Sequence, residues 1–182
     1  MTNHVTRVSS RHIHKGRLVS LRVDSVILPK GTPDTFEYVE IKNGASTLAM
    51  EENGDVWLVR EWKYAIDRPS LEVVSGGIEP GEEPLAAAKR ELREEAGLAA
   101  ERWTPMGFVD PFTTMLRCPN HLFLAQGLTQ VEHDPEEAEI IERVRMPIAE
   151  AVEMVMRSEI THGSSCVAIL KAAAIVGGQV AP

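Results

Sequence analysis

The chain has 182 residues, 43% hydrophobic and 25% charged, with 27 acidic against 19 basic side chains and a net charge of −8. That balance describes a globular chain with enough apolar material for one domain-sized core, and it excludes disordered or collagen-like architectures. The acidic excess also excludes general affinity for nucleic acid or anionic membrane, but not a small anionic substrate reached through a bound cation.

From Val5 to about Val74, short apolar and β-branched runs separated by turn signals predict consecutive strands. Lys15-Gly16 divides a first strand from Leu18–Leu28, and the segment from Pro29 to Asp34 is a turn. Phe36–Ile41 and Ser46–Met50 follow, with Asn43-Gly44 between them as a two-residue hairpin signal; Asn53-Gly54 then joins Ser46–Met50 to Val56–Trp62 as a second hairpin. At Glu83–Gly97 the period changes to helical: Leu85, Ala88, Leu92 and Ala96 lie on one stripe, with Pro84 at the start and Gly97 at the end. Trp103–Val109, His121–Ala125 and Ile140–Val144 read as strands. Pro147 opens an amphipathic helix, and Ser164-Ser165 is expected to cap a last helix ending at Gly177-Gly178. Cys118 and Cys166 lack CxxC spacing and are expected to be two reduced thiols; His12 and His14 read as solvated rather than ligating. The N-terminal residues contain no apolar leader and no run of 18 apolar residues occurs, so a cytoplasmic protein without membrane contact is expected.

The chemistry concentrates in GGIEPGEEPLAAAKRELREEAGL, from Gly76 to Leu98. Glu91, Glu94 and Glu95 at spacings i, i+3 and i+4 fall within an arc of about 100° on one helix. Like charges so placed repel, and they either are offset by Arg90 and Arg93 or hold a cation such as Mg²⁺ or Mn²⁺. A solvated helix laced by ion pairs is the ordinary origin of such a run. Here Gly76, Gly77 and the Pro80-Gly81 turn precede it, and glycines allow backbone to approach a phosphate or metal closely.

The segment resembles the 23-residue Nudix box at every defined position: Gly76, Glu82, Arg90-Glu91-Leu92, Glu94-Glu95 and Gly97-Leu98. The resemblance implies an α+β fold, a Nudix-type α/β/α sandwich with a mixed sheet. A single domain over 1–182 is expected, with an N-terminal antiparallel β portion over about 1–42 used in dimerisation and a catalytic core over about 43–182. It also implies cleavage of a nucleoside diphosphate linked to another moiety, dependent on Mg²⁺ or Mn²⁺. By the same resemblance Glu91 and Glu95 are the leading metal ligands and Glu94 is a further ligand or the base. Arg90 orients a box carboxylate, Glu82 structures the loop or reaches metal through water, and the Ser75 carbonyl supplies a backbone ligand.

The flanks, from Val59 to Tyr64, Arg68 and Leu71–Gly76, resemble ADP-ribose pyrophosphatases and related nucleoside diphosphate sugar hydrolases. Arg60 and Arg68 are candidates to hold phosphates, with ion pairing as the structural alternative; Trp62 or Tyr64 is a candidate to stack on a base, with core packing as the alternative. Glu72 is a candidate metal or substrate contact, and Arg117 a candidate phosphate or sugar contact. One departure stands out: between Pro111 and Asn120 there is no carboxylate where several relatives carry a glutamate base, and Cys118 lies near that place. The base then falls to Glu94, or to Glu136, Glu137 or Glu139. The same resemblance implies a homodimer in which one subunit's N-terminal strands help form the other's site. The alternatives are a Nudix-fold sensor that binds nucleotide without efficient cleavage, and a Nudix enzyme for nucleoside triphosphates, dinucleotides or coenzyme A.

Overall fold

The computed structural model describes residues 4–132 and 141–180. The chain forms two compact units, Met1–Lys42 with Asp110–Pro119, and Asn43–Val109 with Asn120–Pro182.

The first unit is a four-stranded sheet in the order β1-β2-β3-β9, built from β1 (Thr6–Lys15), β2 (Val19–Ile27), β3 (Pro33–Ile41) and the short β9 (Leu116–Arg117). The first three strands form an antiparallel meander, and β9 joins β3 in parallel through Val39↔Leu116 and Glu40↔Arg117. Every residue of β1 is exposed, and Val26 is the buried apolar residue of this sheet. Val8 (65% exposed), Ile13, Leu18 and Phe36 lie open, although β-branched and aromatic strand residues are normally covered.

The second unit carries a sheet in the order β11-β5-β4-β10-β8, made of β4 (Gly44–Met50), β5 (Asp55–Lys63), β8 (Leu98–Val109), β10 (Asn120–Gln130) and β11 (Glu142–Pro147). Two shorter strands, β6 (Arg68–Glu72) and β7 (Val74–Gly77), pair with β5 and β4. The sheet is mixed, because β10 runs parallel to β4 while the other pairings are antiparallel. Leu48, Val56, Leu58, Leu122 and Leu124 point to one face, where α2 (Ile148–Met156) and α3 (Gly163–Val176) supply Ala151, Ala168, Ile169 and Ala172. Ala49, Val59, Val74 and Ala125 point to the other, against α1 (Pro84–Ala96) with its Leu92 and Ala96. Alternation along each strand therefore builds two cores, and helices on both faces give the α/β/α sandwich that the box implied. Full burial of Leu92 contributes about 2–3 kcal/mol.

Two local expectations are corrected. Asn43-Gly44 is not a hairpin: β3 and β4 belong to different sheets, and Gly44 lacks the positive φ that such a turn requires. Gly44 instead starts β4, where a Cβ would lie 2.5 Å from Asn120 Nδ2. Ser164-Ser165 does not cap α3. His162 takes the N-cap position without a side-chain cap bond, and the Ser165 hydroxyl turns to other partners. Asn53-Gly54 does join β4 to β5, with Gly54 at φ +87, and Gly97 ends α1 in the left-handed conformation. Both cysteines are free, and burial pushes both thiols up, away from nucleophilic character. No helix among the described residues is long and apolar enough to cross a membrane.

Candidate functional site

Arg90 is the centre of the carboxylate cluster. Its Nε and Nη2 donate to the two oxygens of Glu82 at 3.1 Å each, and Nη1 donates to Glu91 Oε1 at 2.6 Å and Glu94 Oε2 at 3.0 Å. Nη2 also donates to the Gly77 carbonyl at 3.0 Å, tying α1 to β7. The bonds to Glu82, then those to Glu91 and Glu94, raise the guanidinium pKa above its ordinary value although burial opposes them. Arg90 thus offsets the repulsion that the helix would otherwise suffer; Arg93 faces a small groove beside Lys89 and Trp103 instead. Glu82 closes its own loop by accepting the Glu79 N–H at 2.9 Å.

Register explains the backbone of the site. In the β4–β7 ladder Ser75 faces Ser46 and Gly77 faces Gly44, while the Ile78 N–H bonds the Asn43 carbonyl one pair further on. Alternation of bonded and non-bonded pairs puts Ser75 and Gly77 at non-bonded positions, with N–H and C=O turned away from β4. The Ser75 N–H accordingly donates to Glu95 Oε2 at 3.1 Å, and the Gly77 carbonyl receives Arg90. The Ser75 carbonyl opens on the same edge. Gly76, between them, has no room for a side chain: a Cβ would stand 2.0 Å from the Glu91 carboxylate.

Glu95 is buried and the Glu91 side chain is 13% exposed, against 35% for Glu94. Among the described residues no three His, Cys, Asp or Glu side chains stand at metal-ligating spacing, because Arg90 draws Glu82, Glu91 and Glu94 while Glu95 turns to Ser75. The donor set nevertheless fits a hard cation, since carboxylate and carbonyl oxygens alone gather on a backbone edge cleared by glycine. Replacing Arg90 by Ala removes these charge-assisted bonds and leaves Glu82, Glu91 and Glu94 to repel one another. The expected loss is about 2–3 kcal/mol in the metal-free protein, a fall in Tm of roughly 5–10 °C by thermal unfolding, partly recovered on adding Mg²⁺.

The flanking candidates divide between the two faces of the β5–β6 hairpin. Val59↔Glu72 and Lys63↔Arg68 lie on the α1 face, with Lys63 bonded to Glu61; Arg60↔Leu71 and Trp62↔Pro69 lie on the opposite face. Arg68 donates to Thr161 Oγ1 at 2.8 Å, and Arg60 pairs with Glu142 at 2.8 Å in a solvent-exposed cross-strand bridge. Trp62 is 57% exposed, so core packing is not its role. Glu72 is buried and lies 3.2 Å from His162 Nδ1, a contact that no local spacing signals. Burial outweighs the nearby Glu72 and holds the His162 pKa below its ordinary value. Arg117 belongs to the first unit, where it shares Glu40 with Arg22 and lines a cleft of about 660 Å³ with Phe36, Tyr38, Asp110 and Met115. Glu136, Glu137 and Glu139 lie outside the described residues.

Residues 41–164 match the NUDIX domain family, and residues 5–39 match the nucleoside diphosphate sugar hydrolase N-terminal domain. The chain belongs to the Nudix family. It is 33% identical to an ADP-ribose pyrophosphatase of Mycobacterium tuberculosis over 96% of this chain and 86% of that one. An ADP-ribose pyrophosphatase of Bacillus subtilis is 29% identical over 89% of each chain. The fold superposes on the crystal structure of an ADP compounds hydrolase with a TM-score of 0.83 at 21% identity, covering 96% and 95% of the two chains. Nudix hydrolases generally need divalent metal ions.

Proposed function

We propose that this Nudix chain hydrolyses the pyrophosphate bond of ADP-ribose or another nucleoside diphosphate sugar, giving a nucleoside monophosphate and a sugar phosphate, with Mg²⁺ or Mn²⁺. The observation that carries the reading is the seating of Glu91 and Glu95 against the open edge of β7 at Ser75–Gly77, in a chain whose relatives of nearly equal length are named ADP-ribose pyrophosphatases. Glu91, Glu95 and the Ser75 carbonyl would hold the cation, with Glu82 and Glu94 beside them. When bound, it neutralises the diphosphate and lowers the pKa of its water. Arg90 keeps Glu91 and Glu94 oriented through Nη1. Glu94, the more exposed of the two, is assigned to take the proton of the attacking water on its carboxylate. Arg68 and Glu72 on the α1 face meet the substrate. Arg60 and Trp62, exposed on the opposite face of the hairpin, are assigned to the nucleoside across a homodimer, and Arg117 to the phosphate or sugar.

Two observations favour the homodimer: a ten-residue β1 with no buried residue, and Val8, Ile13, Leu18 and Phe36 exposed on a sheet with almost no core of its own. Light scattering is expected to give twice 20.1 kDa; a monomer mass at micromolar concentration rejects it. The single-domain organisation, with residues 1–42 serving dimerisation, and a cytoplasmic setting belong to the same proposal. Steady-state turnover with Mg²⁺ against a panel of nucleotide sugars, triphosphates, dinucleotides and coenzyme A tests the activity, and the expected result is preference for ADP-ribose or a related nucleotide sugar. The absence of a carboxylate between Pro111 and Asn120 favours a second reading, a nucleotide-sugar sensor, which tight binding without product would support.

A further inference from the structure

We infer that His162 is a positioning residue for substrate binding: through Nδ1 it fixes the Glu72 carboxylate as an acceptor for a hydroxyl of the substrate. The inference rests on the nucleotide-sugar reading above. Three consecutive ties join the segment Thr161–Ser165 to the hairpin strand that carries Arg68 and Glu72. Thr161 Oγ1 accepts from Arg68 at 2.8 Å, His162 Nδ1 lies 3.2 Å from Glu72 Oε2, and Ser165 Oγ accepts the Val73 N–H at 2.9 Å. Val73 sits between β6 and β7, where the strand is interrupted, so Ser165 holds the backbone there while His162 holds the neighbouring side chain.

The proton count decides what the ring does. Ser165 Oγ lies 2.8 Å from His162 Nδ1 and already accepts from Val73. A carboxylate oxygen is an acceptor only, so a proton on Nδ1 makes the 3.2 Å approach to Glu72 favourable while Ser165 Oγ, the nearer partner at 2.8 Å, takes the hydrogen bond. With that proton on Nδ1, the neutral ring sets its N–H dipole beside the Glu72 carboxylate while Ser165 holds the ring in place. Ser165 is fully buried and the Glu72 side chain is 10% exposed, so the pair is held by packing as well as by the bond between Ser165 and His162. Glu72 also stands in the field of Lys63. A carboxylate flanked by an imidazole N–H and an ammonium suits a neutral hydroxyl better than a divalent cation.

The test compares His162→Ala and His162→Asn, whose amide N–H replaces the Nδ1 donor, with wild type and with Glu72→Gln. For ADP-ribose with Mg²⁺, His162→Ala is expected to raise KM about tenfold with kcat within about twofold, His162→Asn to recover most of that loss, and Mn²⁺ affinity to stay unchanged in both. Combined with Glu72→Gln, His162→Ala should add little to the loss caused by Glu72→Gln alone. Unchanged KM in His162→Ala, a fall in kcat alone, weakened Mn²⁺ binding, or full additivity would overturn the assignment; a loss that His162→Asn does not recover while its Tm equals that of wild type would do so as well. If wild type turns over no nucleotide sugar, the activity proposal fails separately, and the Kd for ADP-ribose by calorimetry replaces KM with the same expected ratios. No measurable binding by wild type overturns both.

Discussion

Glu95→Gln is expected to lower kcat by about 10²–10³-fold, about 3–4 kcal/mol of transition-state stabilisation, with Tm within about 2 °C of wild type. The reasons for the small structural effect and the large functional one are separate. Glu95 is buried between the α1 stripe and β7, and its Oε2 accepts the Ser75 N–H at 3.1 Å. Glutamine keeps the volume and an oxygen that accepts the same bond, so neither core nor helix is disturbed. The unit of negative charge is lost, however, at the carboxylate that faces the same backbone edge as the Ser75 carbonyl. Mn²⁺ affinity should fall at least tenfold, measured by titration, alongside steady-state turnover. Near-normal kcat in a correctly folded Glu95→Gln protein rejects the metal assignment.

Gly76→Ala is expected to cost about a hundredfold in kcat/KM while destabilising the protein by only about 1 kcal/mol. The added Cβ would stand 2.0 Å from Cδ and Oε1 of Glu91. Backbone conformation does not forbid alanine, since Gly76 is not among the positive-φ glycines. The conflict is resolved at the flexible end of Glu91, which must leave its place and give up the 2.6 Å bond from Arg90. Stability then loses about one charge-assisted hydrogen bond, and the site loses a correctly placed carboxylate. Urea unfolding and turnover, measured on the same preparation, separate the two. A loss of stability of several kcal/mol with proportionate loss of activity would mean that Gly76 serves the fold rather than the seating of Glu91.

The division between legible and illegible residues follows contact distance along the chain. Helix α1 was legible because its apolar stripe, Pro84 and Gly97 are local signals, and Glu91, Glu94 and Glu95 share a face by helical geometry alone. The hairpin at Asn53-Gly54 was legible for the same reason. Asn43-Gly44 carried an equally good local signal and failed, because β4 is recruited by β10 and β7, strands that lie much later in the chain. Ser165 likewise reads as a cap; instead its hydroxyl accepts the Val73 N–H, and the neighbouring His162 lies against Glu72. No spacing rule reaches across such a separation.

Length, composition and charge determined that the chain has apolar residues enough for a domain-sized core and a negative charge compatible with cation recruitment. The sequence also determined the box and, through it, the sandwich. Which carboxylate serves which partner was decided only in three dimensions. Arg90 can reach Glu82 and the Gly77 carbonyl only after α1 packs on β7, and Ser75 can offer its N–H to Glu95 only because the β4–β7 register turns that edge outward. The separation of Arg60 and Trp62 from Arg68 and Glu72 has the same origin: period-two alternation tells which residues share a face, but which face meets α1 is fixed by the burial of Val59 and Val74 against Leu92.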